Sequence, residues 1–186
     1  MSSFLLVPPA GEPLTLAEAK EFLRVAHGDD DDLITALITG ARSHVESQTR
    51  RALITQTWRL VRDAWPADGR IEVRPAPLQS VVAARVFDLD GTPQDVDAQA
   101  FVVDEASSLL AFASWSLPAP GRAAGIEIDV SVGYGEEASD VPEPLRQAIR
   151  LLIAHWYENR GLLTSGQGTL PASVAALTAS YRMLSL

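Results

Sequence analysis

Cysteine is absent from this chain, and lysine occurs only once, at Lys20. Without cysteine the sequence has no disulfide framework and no thiolate metal site, which fits a reducing cytoplasm. Long hydrophobic runs are missing as well. The longest early run, from Phe4 to Val7, is too short for a membrane span or for the core of a signal peptide. Because Pro8 and Pro9 follow it, we interpret this run as an extended N-terminal segment.

Positive charge is scarce. The 15 Lys and Arg residues are outnumbered by 24 Asp and Glu residues, so the formal net charge is −9. Such a surface argues against wrapping nucleic acid, because that affinity comes from cations that neutralise phosphates. It is compatible with a duplex that slides past without adhering. The cations are nearly all arginine, which suits bidentate pairing across interfaces, and a high genomic GC content would produce the same bias.

Helix signals occupy both ends of the chain. Thr15 and Glu18 form a capping-box pattern, and apolar residues at helical spacing follow it. Pro142 and Pro144 stand at the start of a later helix, where a missing N–H costs nothing. Together these patterns predict helices near residues 15–25, 31–49, 142–160 and 171–180.

The middle of the chain has the period of β-strands. Short segments rich in β-branched residues are separated by Pro, Gly and Asp, and residues 126–132 alternate strictly between apolar and mostly acidic. Asp88 to Thr92 is typical of a hairpin tip. The predicted fold class is α+β. It has a helical core of three main helices and a short C-terminal helix, with a small antiparallel sheet or sandwich inserted over residues 53–134.

The long third helix carries a continuous apolar stripe. We predict that its residues pack in the core or between subunits: Leu145, Ile149, Leu152, Trp156 and Tyr157. Leu151 lies off the stripe, which suggests a second contact with a neighbouring subunit. The four tryptophans are interpreted as core or interface anchors, because few basic residues accompany them as base stacking would require.

Two groups of residues have the composition of a chemical site. Asp29 to Asp32 is either a metal cluster or an acidic first turn of a helix, since consecutive helical residues point in different directions. Asp88 to Gly91 resembles part of a calcium loop, and a hairpin turn explains it as well. His155 has no identifiable acid or nucleophile as a partner. The sequence therefore predicts no catalytic, cofactor-binding or metal-binding residue.

The segment Tyr181 to Leu186 combines aromatic, arginine, methionine and leucine side chains. These types are enriched where proteins dock. Docking and simple fraying are both open interpretations of this segment.

Several stretches, in this order and spacing, carry a family resemblance. They are LTLAEAKEFLRV from Leu14, DDDDLITALITGARSHVE from Asp29, RRALITQTWRL from Arg50, PLQSV from Pro77, VGYGEEASDVPEPLRQAIRLLIAHWYENR from Val132, and the closing LPASVAAL…YR. With them the chain resembles the phage head–tail connector, or portal adaptor, family of long-tailed phages and gene transfer agents.

The resemblance implies a virion structural protein and not an enzyme. Such proteins form a ring, typically of twelve copies, under the portal, where they join the capsid to the tail and extend the DNA channel. The implied partners are the portal protein, a stopper or tail-terminator protein of the neck, and other copies of the chain. DNA would pass without specific binding, and neither a membrane nor a cofactor is implied. The expected location is the particle neck, after assembly in the bacterial cytoplasm.

The resemblance also implies a division of the chain. It would be a single connector domain with N-terminal helices over 14–52, the β insertion over 53–134, the long helix over 141–161 and a C-terminal portal-docking arm over 162–186. The docking residues would be Leu170, Tyr181, Arg182, Met183, Leu184 and Leu186.

Two alternatives remain at this point. One is a neck or tail-completion protein that binds the tail in place of the portal. The other is a small acidic metal-assisted hydrolase that uses His27 and Asp29 to Asp32.

Overall fold

The computed structural model describes residues 2–159 and 171–183. Within these ranges four α-helices and eight antiparallel strands confirm the mixed α+β class. The helices are α1 (Leu16–Leu23), α2 (Asp31–Thr49), α3 (Glu143–Glu158) and α4 (Ala172–Ala179). The strands are β1 (Ser2–Val7), β2 (Gln56–Arg62), β3 (Arg70–Glu72), β4 (Leu78–Phe87), β5 (Pro93–Val96), β6 (Phe101–Asp104), β7 (Leu109–Phe112) and β8 (Ile126–Val132).

The chain divides into two compact units. The β unit consists of Met1–Ala10 and Thr55–Tyr134, and the helical unit consists of Gly11–Ile54 and Gly135–Leu186. The N-terminal residues thus belong with the strands. They form β1, which pairs with β2, whereas the sequence suggested only an extended segment.

The β unit is built around β8. This strand lies at the centre of a five-stranded sheet in the order β1-β2-β8-β4-β5. Ile126, Ile128, Val130 and Val132 alternate along it and are fully buried, which is the pattern expected of one sheet face turned toward a core. A three-stranded sheet, β3-β7-β6, belongs to the same unit.

The predicted hairpin at Asp88 to Thr92 joins β4 and β5, where Phe87 pairs with Pro93. The Asp88 carboxylate accepts hydrogen bonds from the backbone N–H groups of Asp90 at 2.9 Å and Thr92 at 2.8 Å. Gly91 takes a positive φ of 82°, which glycine adopts without strain. The Asp88 carboxylate therefore closes a turn, as the hairpin interpretation expects.

The helical unit begins with the predicted capping box. The Glu18 N–H donates to Thr15 Oγ1 at 3.2 Å, and the Thr15 N–H donates to Glu18 Oε2 at 2.8 Å. The second bond lowers the pKa of the Glu18 carboxyl, because it stabilises the ionised form. Helix α1 ends at Leu23, two residues before the predicted end, because Arg24 adopts a left-handed φ of 58°.

Helix α3 packs against both α2 and α4. Its buried side includes Leu145, Ile149 and Leu152, each 0% exposed. Burying such residues contributes about 1.5–3 kcal/mol each relative to leaving them in water. None of the helices in the described ranges is long and apolar enough to cross a membrane.

Candidate docking surfaces

The described part of the predicted docking segment lies against the C-terminal end of α2. Three hydrogen bonds make this contact: Arg51 Nε to the Tyr181 carbonyl at 2.8 Å, the Met183 N–H to the Thr49 carbonyl at 3.2 Å, and Arg182 Nη2 to Gln48 Oε1 at 3.2 Å. The Thr49 carbonyl is one of those that a helix end leaves without an intrahelical partner. The segment therefore caps α2.

The other predicted docking residues, Leu170, Leu184 and Leu186, lie outside the described residues. Within the described segment Tyr181 and Met183 are half-buried and Arg182 is exposed. The contact with α2 thus leaves part of this segment accessible to a partner. Its role in docking stays a prediction.

The predicted packing residues of α3 fall into two groups. Leu145, Ile149 and Leu152 are fully buried, whereas Leu151, Trp156 and Tyr157 are half-buried. Tyr157 Oη donates to Asp30 Oδ2 at 2.5 Å, which ties the end of α3 to the start of α2. The half-buried residues keep part of their surface accessible, and their packing against another subunit stays a prediction.

Trp156 packs against α2 through its ring. The ring meets His44 edge-on with centroids 6.0 Å apart, and it lies 3.6 Å from the position that a Cβ at Gly40 would occupy. We expect Trp156→Ala to lower the free energy of unfolding by about 2 kcal/mol, below the roughly 3–5 kcal/mol of a fully buried aromatic residue. Urea denaturation measures this change. Tyr181→Ala is the matched control, because it keeps the backbone contact to Arg51. An effect of Trp156→Ala under about 0.5 kcal/mol would contradict the packing of the Trp156 ring against α2.

The acidic run Asp29 to Asp32 makes structural contacts at the start of α2. Besides the bond from Tyr157 to Asp30, the Asp31 carboxylate pairs with Lys20 of α1 at 2.5 Å. Asp31 and Asp32 lie in the first helical turn, where negative charge is favourable. Among the described residues, no group of three or more His, Asp or Glu is arranged to hold a metal ion. These carboxylates tie α1 and α3 to α2.

A charged ladder crosses the five-stranded sheet on the face opposite the buried isoleucines. It consists of Arg59, Arg85, Asp95, Glu127 and Asp129. Arg59 donates two hydrogen bonds to the Asp129 carboxylate, at 2.6 and 2.8 Å. It also forms an ion pair with Glu127 at 3.0 Å. Arg85 lies 3.6–3.7 Å from Glu127, Asp129 and Asp95.

Asp129 is the most enclosed member of the ladder, with its side chain 6% exposed. Its hydrogen bonds raise the pKa of Arg59, because they stabilise the charged guanidinium. Sequence reasoning placed the acids of β8 on one face but missed their partners. Arg59 is 70 residues away from Asp129 in sequence, so only the strand pairing brings them together.

Several large apolar side chains of the β unit remain exposed. Trp115 is 88% exposed and Leu89 is 84% exposed. By contrast, Trp65 packs against Phe101 and Phe112, with ring centroids 6.0 and 5.1 Å away. Core anchoring therefore fits Trp65 and does not fit Trp115, whose interface role stays a prediction.

Comparison with known proteins shows which families and structures resemble this chain. Residues 13–86 match the family model of the phage gp6-like head-tail connector protein. No curated protein matches the sequence.

Solved structures match along the whole chain. A chain from the neck of an empty GTA particle, computed with C6 symmetry, is 28% identical with a TM-score of 0.81, and the match covers 100% of this chain and 97% of that one. A chain from the virion of a native gene transfer agent (GTA) particle is 27% identical with a TM-score of 0.81 and the same coverage. A chain from the neck of a native GTA particle, computed with C12 symmetry, is 27% identical with a TM-score of 0.77, again at 100% and 97% coverage. The resemblance to head–tail connector proteins that the sequence predicts is therefore confirmed, by the connector family model and by these proteins of GTA particles.

Proposed function

We propose that this protein is a structural component of the neck of a phage or gene-transfer-agent particle, where it joins the portal to the tail. The observation that carries the proposal is the similarity to a chain of a GTA neck at 28% identity and a TM-score of 0.81, over 100% of this chain and 97% of that one. Both the β unit and the helical unit are included in that match. The role is therefore proposed for the entire chain acting as one connector domain.

Ring assembly is the second part of the proposal. The neck structures that resemble this chain were computed with C6 and C12 symmetry. A closed ring needs two different surfaces on each subunit, which contact each other head to tail. We propose a ring of twelve copies, with a net negative surface that lets DNA pass without binding.

The partners follow from the position in the neck. The C-terminal arm, residues 162–186, is proposed to dock on the portal, and the opposite side of the ring to receive a stopper or tail-terminator protein. The contact of Tyr181 and Met183 with α2 supports this division, because it would hold the arm at a defined place on the helical unit.

Loss of the gene in a producing strain tests the role directly. We expect filled capsids without tails, and we expect tails to return when the gene is supplied in trans. Gold labelling of a tagged chain in complemented particles should mark the junction of capsid and tail. A label along the tail would favour the tail-completion alternative, and tailed particles without the protein would contradict the proposal.

A double variant tests the alternative that the protein is a metal-assisted hydrolase. His27 and Asp29 have side chains 53% and 94% exposed, so His27→Ala/Asp29→Ala should leave folding and particle yield unchanged. A fall in tailed particles with this double variant, at normal protein level, would favour chemistry over assembly.

A further inference from the structure

Strand β1 ends the five-stranded sheet, and its outer edge has no strand partner among the described residues. Four consecutive large apolar side chains on it are exposed: Phe4 at 47%, Leu5 at 43%, Leu6 at 41% and Val7 at 52%. A free edge presents backbone N–H and C=O groups that pair readily with another strand. Apolar side chains on both faces of that edge would be covered by such a strand.

A buried cation lies on β2, the strand next to this edge. Ser2, the first residue of β1, pairs with Val61. The next residue, Arg62, ends β2 and pairs with Ile126 of β8. Arg62 is only 7% exposed.

No anion among the described residues pairs with the Arg62 guanidinium. It donates to the neighbouring Val61 carbonyl at 3.2 Å, and none of the ion pairs formed by the described residues includes it. Burial lowers its pKa, because the charged form loses hydration. A buried charge without a partner is costly, and a well-placed carboxylate offsets that cost. This side of the sheet thus combines an exposed apolar strand with a buried cation that has no anionic partner among the described residues.

The opposite edge of the sheet carries an exposed negative charge. Strand β5 ends that side, and Pro93, Gln94 and Asp95 on it are exposed. The Asp95 carboxylate is 90% exposed, and its pairing with Arg85 is distant, at 3.7 Å. A salt bridge so exposed contributes little, so Asp95 is free to pair elsewhere.

We propose that β5 of one copy lies along the β1 edge of the next copy and brings its Asp95 to Arg62. The inference rests on the ring of the proposed function and assigns its subunit contact. The two edges are different surfaces of one sheet, so their contact is heterologous and each copy offers both halves. A second copy is the occupant because the chain itself carries the complementary charge on the opposite edge.

Thiol cross-linking tests the contact, since the natural sequence has no cysteine. Purified particles carrying Leu5→Cys/Gln94→Cys are treated with a short bis-maleimide and separated under denaturing conditions. We expect a ladder of covalent multimers. The matched control, Leu5→Cys/Glu105→Cys, moves the second thiol to the turn between β6 and β7 and should give monomer.

Failure of the contact and failure of the function are distinguishable. Particles that contain the protein but give no ladder with the edge pair overturn the proposed contact and leave the neck role intact. If the wild-type protein is absent from purified particles, both are overturned.

Charge exchange supplies a second test that needs no cross-linker. Arg62→Gln and Asp95→Asn should each lower incorporation into particles roughly tenfold or more, as expected for removal of one partner of a buried charge pair. Arg62→Asp/Asp95→Arg should recover part of that loss. Glu105→Gln, which changes the net charge by the same amount as Asp95→Asn, is the control and should have no effect. Wild-type incorporation of both single variants would overturn the proposal.

Discussion

Deletion of Tyr181 to Leu186 should yield DNA-filled capsids that lack tails. The segment is proposed to dock on the portal, and its described part is held to the end of α2 by Arg51 and Thr49. Removing it takes away the exposed Arg182 together with the apolar residues that follow. Aromatic residues, methionine and arginine are enriched at interfaces, and a few such residues carry most of the binding free energy. We therefore expect tailed particles to fall at least about tenfold, which electron microscopy of purified particles measures.

Loss of the contact that holds the segment near the end of α2 must be separated from loss of docking. Arg51→Ala removes the bond to the Tyr181 carbonyl but keeps the whole segment, so it serves as the control. It should lower the free energy of unfolding by at least about 1 kcal/mol, the usual value of one hydrogen bond, and still give tailed particles. Normal numbers of tailed particles with the deletion would refute the docking role.

Asp129→Ala should lower the free energy of unfolding by about 3 kcal/mol. Asp129 is enclosed within the charged ladder and takes two hydrogen bonds from Arg59. Breaking a buried pair leaves an uncompensated charge, which costs about 3–5 kcal/mol. We expect the lower end of that range, because Glu127 stays 3.0 Å from Arg59. Urea denaturation of the purified chain gives this value.

Asp95→Ala is the matched control on the same ladder. Its carboxylate is 90% exposed and 3.7 Å from Arg85, so its removal should change stability by less than about 1 kcal/mol. The double variant Arg59→Met/Asp129→Leu should recover most of the loss, because a hydrophobic pair replaces a buried ion pair at little cost. Equal destabilisation by the two alanine variants would refute the buried role of Asp129.

Local signals in the sequence predicted much of the fold. The Thr15 capping box, the alternation of residues 126–132 and the hairpin at Asp88 each depend on neighbours a few residues apart. Such patterns survive in the structure because local hydrogen bonds and the periodicity of side chains cause them directly.

What the sequence did not reveal depends on pairing between distant segments. Strand β1 was missed because its four apolar residues do not alternate, and only its register with β2 makes it a strand. Strand β5 begins with Pro93, a residue that usually argues against a strand and is tolerated at a sheet edge. The sequence likewise does not reveal that Arg62 is buried without an anionic partner among the described residues.

The division into two units has a consequence for shortened versions of the protein. The stretch recognised by the family model, residues 13–86, contains β2, β3 and all of β4 except Phe87. Strands β2 and β4 are not neighbours in the five-stranded sheet, since β8 separates them, and β3 belongs to the other sheet, where it pairs with β7. A polypeptide of residues 13–86 would hold β2 and β4 without β8 between them, and β3 without β7, so we do not expect this part of the sequence to fold on its own.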